Sequence, residues 1–519
     1  DSRVRLQYYD GIGRPTQQVE SQGGGAYSAT LTEYDIAGRP VREWLPTPVG
    51  SALDQIPVPS LAYKARDFYG DSRPFRVTSY DALDRRTTVL GAGEAWARGG
   101  HAARVEYTGN GENEALRFDA PLNDTTVVSA GYYEAGSLRV EIATDEDGRE
   151  IRTYTDLFGN KVLERRAGNV DTPFVYASMN RLRFVLTPAY TSEQDVTLNA
   201  YEYRYDRRRR CVWKRLPGCA PQRFGYDNAN RMVFSQDGVQ RASGSATFYL
   251  YDIFGRLAVK GICEAPQKMS VDGVATVEYT GTGALMGYEC ALMSLSDSLR
   301  VSEIIEADYY SDYRFLSYGG YKGMGSLDFT PKPGYASKPG CGRSLLTGKC
   351  LRNLTDGTLT LSAVYYDADG NAVLSRCATE DGTADDTFTA YTFSGSPSRQ
   401  LHEHRRARSA TSLSEEYFYT YQPSTGRPLR TEYSLNGSPR TCLAENAYDG
   451  VGRLVSVTVP SVGTTSYGYN VRSWLMSISS NVFRESLVYT GGLHPQYFGN
   501  PSAMSWKTYG NPGARHYDY

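Results

Sequence analysis

Three stretches of this 519-residue chain combine residue types and spacings that could do chemistry. His402, Glu403 and His404 form its densest group of imidazole and carboxylate. On a strand, residues i and i+2 share a face, so both imidazoles could reach one metal ion. Arg405, Arg406 and Arg408 follow at once and would repel a cation, which favours a solvated strand end. Arg207–Arg210, with Lys214 and Arg215 beyond, could contact phosphate. On a strand those arginines split between two faces. The formal charge of −2 and the pI near 6.3 add no pull toward nucleic acid. Leu346-Thr-Gly348-Lys349-Cys350 has the ending of a phosphate loop. However, Arg343 stands where the first glycine belongs and Cys350 where Ser or Thr belongs.

Nothing else supplies a reaction centre. No Gly-x-Ser-x-Gly elbow is present. The eight cysteines lack C-x-x-C or metal spacing, and a chain this large needs no disulfide framework. The expectation is a protein without enzymatic activity, cofactor or metal. Tyrosine is the compositional outlier, at 42 residues. Aromatic rings can stack on sugars, so Tyr309, Tyr310, Tyr313, Tyr318 and Tyr321 are the candidates for contact with a cell-surface glycan.

Seven other tyrosines head a recurring turn signature. It appears as Tyr9-Asp10-Gly-Ile-Gly13-Arg14, Tyr34-Asp35-Ile-Ala-Gly38-Arg39 and Tyr80-Asp81-Ala-Leu-Asp84-Arg85. It returns as Tyr226-Asp227-Asn-Ala-Asn230-Arg231, Tyr251-Asp252-Ile-Phe-Gly255-Arg256, Tyr366-Asp367-Ala-Asp-Gly370-Asn371 and Tyr448-Asp449-Gly-Val-Gly452-Arg453. A fixed signature at such spacing marks a repeat architecture, in which each unit needs its neighbours. The flanks alternate in period two: Val455, Val457 and Val459 fall on one face, and Leu454, Ser456 and Thr458 on the other. That pattern predicts strands. The aspartate can accept backbone N–H bonds two residues on, and Gly tolerates the left-handed conformation that closes a hairpin. Where Gly is missing, Asp84 and Asn230 replace it. Charged or glycine residues interrupt every candidate for a long amphipathic helix, so the chain is predicted to be all-β.

No apolar run reaches the ~18 residues needed to cross a bilayer. The Pro-rich stretch 47–59 reads as a loop. Between about Lys268 and Gly348 the signature disappears, and Gly/Pro/Ser/Lys-rich segments replace it. Residues 266–348 are therefore predicted to be an insert or crossover between repeats at 121–265 and 349–519. The chain starts at Asp1 without Met and stops inside what reads as another repeat, so both ends are expected to continue.

With these motifs in place, the chain resembles the RHS/YD-repeat family over nearly its whole length. The order of accessory motifs resembles the large RHS proteins of Bacteroidetes-type bacteria. It starts with Tyr8-Tyr-Asp-Gly-Ile-Gly-Arg-Pro15, Trp44-Leu-Pro46 and Gly91-Ala-Gly-Glu-Ala-Trp96, which resemble the N-terminal module, here residues 1–120. Gly342-Arg-Ser-Leu-Leu-Thr-Gly348, Val364-Tyr-Tyr-Asp367 and Tyr469-Asn-Val-Arg-Ser-Trp-Leu475 resemble later landmarks. The resemblance implies a β-sheet wound into a hollow shell that holds a C-terminal toxin or other effector of a secreted or bacterial-surface protein. It implies two partners: the chain's own downstream domain as cargo, or a further chain that caps the shell. No DPxG-type core motif is found, so cleavage and cargo stay undocumented. The alternative is a cell-surface adhesin or glycan-binding repeat module.

Overall fold

The structure is a computed structural model that describes residues 4–50, 54–121, 126–177, 179–291, 299–322, 324–340, 342–380, 382–405, 412–508 and 515–518. The alternating segments form strands, and the chain is all-β. Among the described residues one 33-stranded sheet runs from Arg5–Tyr9 to Arg515–Asp518, and two small strand pairs, Leu116–Asp119 with Val128–Tyr132 and Val277–Gly283 with Gly287–Cys290, stand apart from it. Each wall strand pairs antiparallel with the next one in sequence, as in the pairing of Arg139–Thr144 with Glu150–Thr155 and of Ser245–Tyr251 with Leu257–Glu264. Turns in such a meander alternate between the two rims of the strip. All seven signature turns fall on one of these rims.

Directly paired residues share a face. Following the register from strand to strand therefore traces one face along the strip. It carries Leu31, Trp44 and Phe75, then Val140, Tyr154 and Leu163. Farther along it carries Phe234 and Phe248, then Leu374, Phe388 and Leu401. The buried clusters lie on this face, because the long connections fold back over it.

The first such cover is a helix, Val58–Tyr69, where no long helix was expected. Its buried stripe is narrow and made of Leu61, Ala62 and Ala65, which pack against Leu31, Trp44 and Phe75. The charged residues that break the pattern in sequence, Lys64, Arg66 and Asp67, take the outer side. Pro57 starts the helix, and Gly70, in the left-handed region at φ 59°, ends it. The stretch 47–59 is correspondingly not one loop. Residues 47–50 finish the strand Pro40–Gly50, and Val58 opens the helix.

Residues 266–348 contribute a wall strand of their own, Val301–Tyr310, which pairs with Leu257–Glu264 and with Leu346–Arg352. On either side of it the chain leaves the wall. Residues 311–345 form a strap laid across the covered face. Phe315 sits over Gly348, Arg376 donates to the Asp328 carbonyl at 2.6 Å, and Lys332 pairs with Glu403. Tyr335 reaches Glu416 at 2.7 Å. Beneath the strap, Arg376 and Asp386 make a two-pronged buried ion pair at 2.8–2.9 Å.

Candidate functional site: the turn ladder and the seam

Each signature turn is a small clamp. Asp10 Oδ1 accepts the backbone N–H groups of Ile12 (3.0 Å) and Arg14 (2.9 Å), while Oδ2 takes Arg14 Nε at 2.7 Å. The same three contacts recur at Asp35, Asp81, Asp227, Asp252 and Asp449. At Asp367 the partner is Asn371, whose Nδ2 stands 3.0 Å from Oδ2. The backbone N–H groups of Arg14 and Arg39 hold the carboxyls of Asp10 and Asp35 below the usual range. The residue before each Arg, or before Asn371, is left-handed: φ is 85° at Gly13, 83° at Gly38, 85° at Gly370, 60° at Asp84 and 64° at Asn230.

The clamps are joined into a ladder. Three arginines lie over the tyrosine of the next signature: Arg14 on Tyr34 at 4.6 Å, Arg39 on Tyr80 at 5.1 Å, and Arg231 on Tyr251 at 4.9 Å. The tyrosine's hydroxyl donates back to the carbonyl of the residue that follows the preceding turn. Tyr34 bonds Pro15 at 2.7 Å, Tyr251 bonds Met232 at 2.8 Å, Tyr366 bonds Leu346 at 2.6 Å, and Tyr448 bonds Pro428 at 2.8 Å. The ring thus packs on a cation while its hydroxyl satisfies a rim carbonyl. Tyr, Asp and Arg thus each supply one part of a full rung.

Several clamps lack the full signature. Asp145-Glu-Asp-Gly148-Arg149 makes the same turn on the opposite rim and Asp156-Leu-Phe-Gly159-Asn160 makes it on the signature rim; the Asp-x-x-Gly spacing was the signal for both. The arginine run is another, and this corrects its assignment to a strand. Asp206 clamps Arg210 at 2.7 Å, and Arg209 takes the glycine place at φ 66°. Arg210 then reaches the Asp227 carbonyl at 2.7 Å and lies 4.8 Å over Tyr226. The run is a rung of the ladder.

The other candidates are also engaged in the wall. His402 meets Thr387 at 3.0 Å, and His404 meets Asp385 at 2.6 Å. Arg406, Arg408 and Cys341 lie outside the described residues. Among the described residues no His, Cys, Asp and Glu side chains group as metal ligands. The phosphate-loop ending is part of the strand Leu346–Arg352, where Lys349 pairs with Glu306. The tyrosines singled out for glycan contact turn inward. Tyr309 and Tyr321 are buried and share a hydrogen bond, and Tyr313 stacks on Tyr365 at 4.3 Å. Tyr310 is a ladder tyrosine, bonding the Leu257 carbonyl at 2.9 Å. Folding of the strap over the sheet withdraws Tyr309 and Tyr321 from solvent and leaves Tyr310, Tyr313 and Tyr318 half-buried.

Sequence reasoning missed a seam that joins residues almost 400 positions apart. Late turns on the signature rim rest on the opposite rim of the early strands. Arg427 bonds Gln22 Oε1 at 2.8 Å, and Gly450 abuts Pro48 so closely that a Cβ there would clash. Arg453 lies 5.7 Å over Tyr69, whose hydroxyl burial pushes up to about 12. Arg472 is the centre. Its Nε donates to the Ala92 carbonyl at 2.7 Å, its Nη1 pairs with Glu146 at 3.2 Å, and its guanidinium lies 4.0 Å over Trp96. Trp96 in turn donates to the Tyr497 carbonyl at 2.9 Å and packs edge-on to Trp474. Val471, Ala92 and Trp96 are buried together. The strip therefore winds around and docks on itself, rim to rim, through side chains and turns. No helix among the described residues is long and apolar enough to cross a membrane.

Comparison with known proteins gives three findings. Residues 1–109 match a family described as a domain of unknown function, DUF6443. No curated protein matches. Among solved structures the chain is similar to a TcdB2–TccC3 complex (13% identity, TM-score 0.42) and to a Tc holotoxin pore of Photorhabdus luminescens (12%, 0.38). Each likeness covers 99% of this chain and 26% of the other, so the chain spans about a quarter of their length.

Proposed function

We propose that this chain is the wall of an RHS-type hollow shell, which encloses and helps deliver an effector carried by the same secreted or surface protein. The seam is the observation that carries this reading. About two dozen strands separate the rims that meet there, and at ~4.8 Å per strand they give a circuit of roughly 115 Å. Such a circuit is on the order of 35 Å across between backbones, comparable to a small domain with its radius of gyration of ~13 Å. The wall's own residues supply no catalysis in this reading, because each candidate group is occupied in holding the wall. The match to DUF6443 over residues 1–109 is consistent with a shell module at that end.

The test is to image the full polypeptide in which this chain occurs, with and without its downstream region, by single-particle electron microscopy. Density inside the wall that disappears with the downstream region, together with protease resistance of that region, supports enclosure. A downstream domain outside the wall and readily cleaved would refute it.

A further inference from the structure

Beyond the rung made by Asp206 and Arg210, the same basic stretch reaches Arg215 on a face of the sheet. Phe184, Glu202 and Arg215 are direct neighbours there across three strands. Glu202 is fully buried, and three guanidinium groups gather on its carboxylate: Arg183 and Arg215 at 3.0 Å and Arg204 at 2.9 Å. Three positive charges against one negative leave this group at +2. By contrast, Arg165 is matched by Asp171 and Arg231 by Asp227. Aromatic rings hold the cations in place. Arg204 lies 4.3 Å and Arg215 5.6 Å over Trp213, and Arg183 lies 5.0 Å over Phe184. Burial, reinforced by the Arg204 and Arg215 charges, holds Arg183 below the usual guanidinium range, with Glu202 pulling the other way. The group is short of negative charge. Arg215 Nε is buried without a hydrogen-bond partner among the described residues. Arg204 meets Glu202 through Nε, and its side chain is 40% exposed, so the group opens to solvent on that side.

We propose that this group binds a tetrahedral dianion of the phosphate class, which Arg204 and Arg215 touch while Glu202 holds the arginines together. Two excess charges match one dianion. Guanidinium forks fit the oxygens of a phosphate two at a time, and they stay charged at any pH the fold survives. An acidic peptide would bring single charges spread along a chain, whereas the excess here is gathered around one carboxylate. Salt screens a partly buried pairing of this kind less than one on an open surface. The site stands whether or not the wall encloses an effector.

Isothermal titration calorimetry of the intact chain with inorganic phosphate tests the proposal at constant ionic strength, above about pH 7, where a phosphate group carries close to two charges. The expected result is a single saturable site with a Kd of about 1 mM or tighter, which chloride at matched ionic strength does not abolish. Arg204→Gln leaves Glu202 its other two cations, so the variant should keep its circular dichroism and bind at least ~10-fold more weakly. Arg204→Lys keeps the charge without the fork and should fall between the two; it decides the matter should Arg204→Gln lose its fold. Arg139→Gln removes an exposed arginine from another strand and should bind like the parent. Glycerol 3-phosphate that binds more tightly than inorganic phosphate would assign the phosphate to a monoester, and weaker binding would assign it to the free ion. No saturable heat in the parent, full affinity in both Arg204 variants, or an equal loss in Arg139→Gln would overturn the proposal.

Discussion

Replacing Arg472 with alanine should open the seam while leaving the rest of the wall folded. The side chain is 11% exposed, and its partner Glu146 is 14% exposed. Alanine removes the ion pair, the bonds to the Ala92 carbonyl (2.7 Å) and the Tyr497 carbonyl (3.4 Å), and the cation packed between Trp96 and Trp474. A hydrogen bond to a charged group is worth ~1.5–3 kcal/mol, and a desolvated cation–ring contact ~1–2 kcal/mol. Breaking a buried pair costs ~3–5 kcal/mol because the remaining charge stays buried. These figures overlap, and about 3 kcal/mol for local opening is a fair reading, which is roughly a 150-fold shift in the opening equilibrium. Hydrogen exchange read by mass spectrometry should accelerate by about that factor in peptides spanning 91–102 and 489–497. The Tyr497 amide, bonded to Asp147 at 2.5 Å, is the most direct reporter. Strands far from the seam, such as Leu359–Tyr366, should exchange as before, because stability in a repeat array is local. Arg472→Lys keeps the charge but loses the flat stacking fork, so its effect should be intermediate. Unchanged exchange on both sides of the seam, or equal acceleration at 359–366, would refute the reasoning.

Three further outcomes follow from the wall itself. Gly38→Val, Gly255→Val and Gly452→Val force a branched residue to φ 81–89° and should each cost ~1–3 kcal/mol in urea unfolding; unchanged midpoints would sink the turn assignment. Tyr251→Phe removes the hydroxyl bond to Met232 and should cost ~0.5–1.5 kcal/mol, with the ring contact to Arg231 retained. Burial raises the Asp308 carboxyl to about 6, against the opposing pull of Lys349. Between about pH 4 and 6 the folded chain thus holds a proton that the unfolded chain has released. Stability should fall as pH rises through that window, by up to ~3 kcal/mol. Asp308→Asn should abolish this slope, and a melting temperature flat from pH 4 to 6 in the parent would contradict it.

The parts of the fold legible in the sequence are those made by neighbours in the chain. Asp10, Gly13 and Arg14 interact within five residues, and Val455, Val457 and Val459 declare a strand by alternation alone. Val471 and Trp96, by contrast, look like any apolar residues, and only the curvature of the intervening wall brings them together. Arg209 concealed a turn because a non-glycine residue occupies the left-handed position. The strap's tyrosines read as exposed because a Gly/Pro-rich segment reads as a surface loop. What buries them is the far side of the contact, where glycine at Gly348 leaves room for the Phe315 ring. The helix Val58–Tyr69 escaped notice because a stripe of one leucine and two alanines is too narrow to stand out.

The seam also constrains how such a chain can lengthen over evolutionary time. Adding a hairpin to the wall would advance every later turn by two strands, so Arg472 would face a stranger and not the Ala92 carbonyl. Extra residues can enter without that penalty only where the chain leaves the wall and returns to the same rung. The segment from Ser311 to Leu345 does this: it occupies the place of a five-residue turn, yet Tyr310 still opposes Leu346 and still bonds the Leu257 carbonyl. Insertions and deletions among related chains should therefore gather at such departures from the wall, while the strand number between docked rims stays constant.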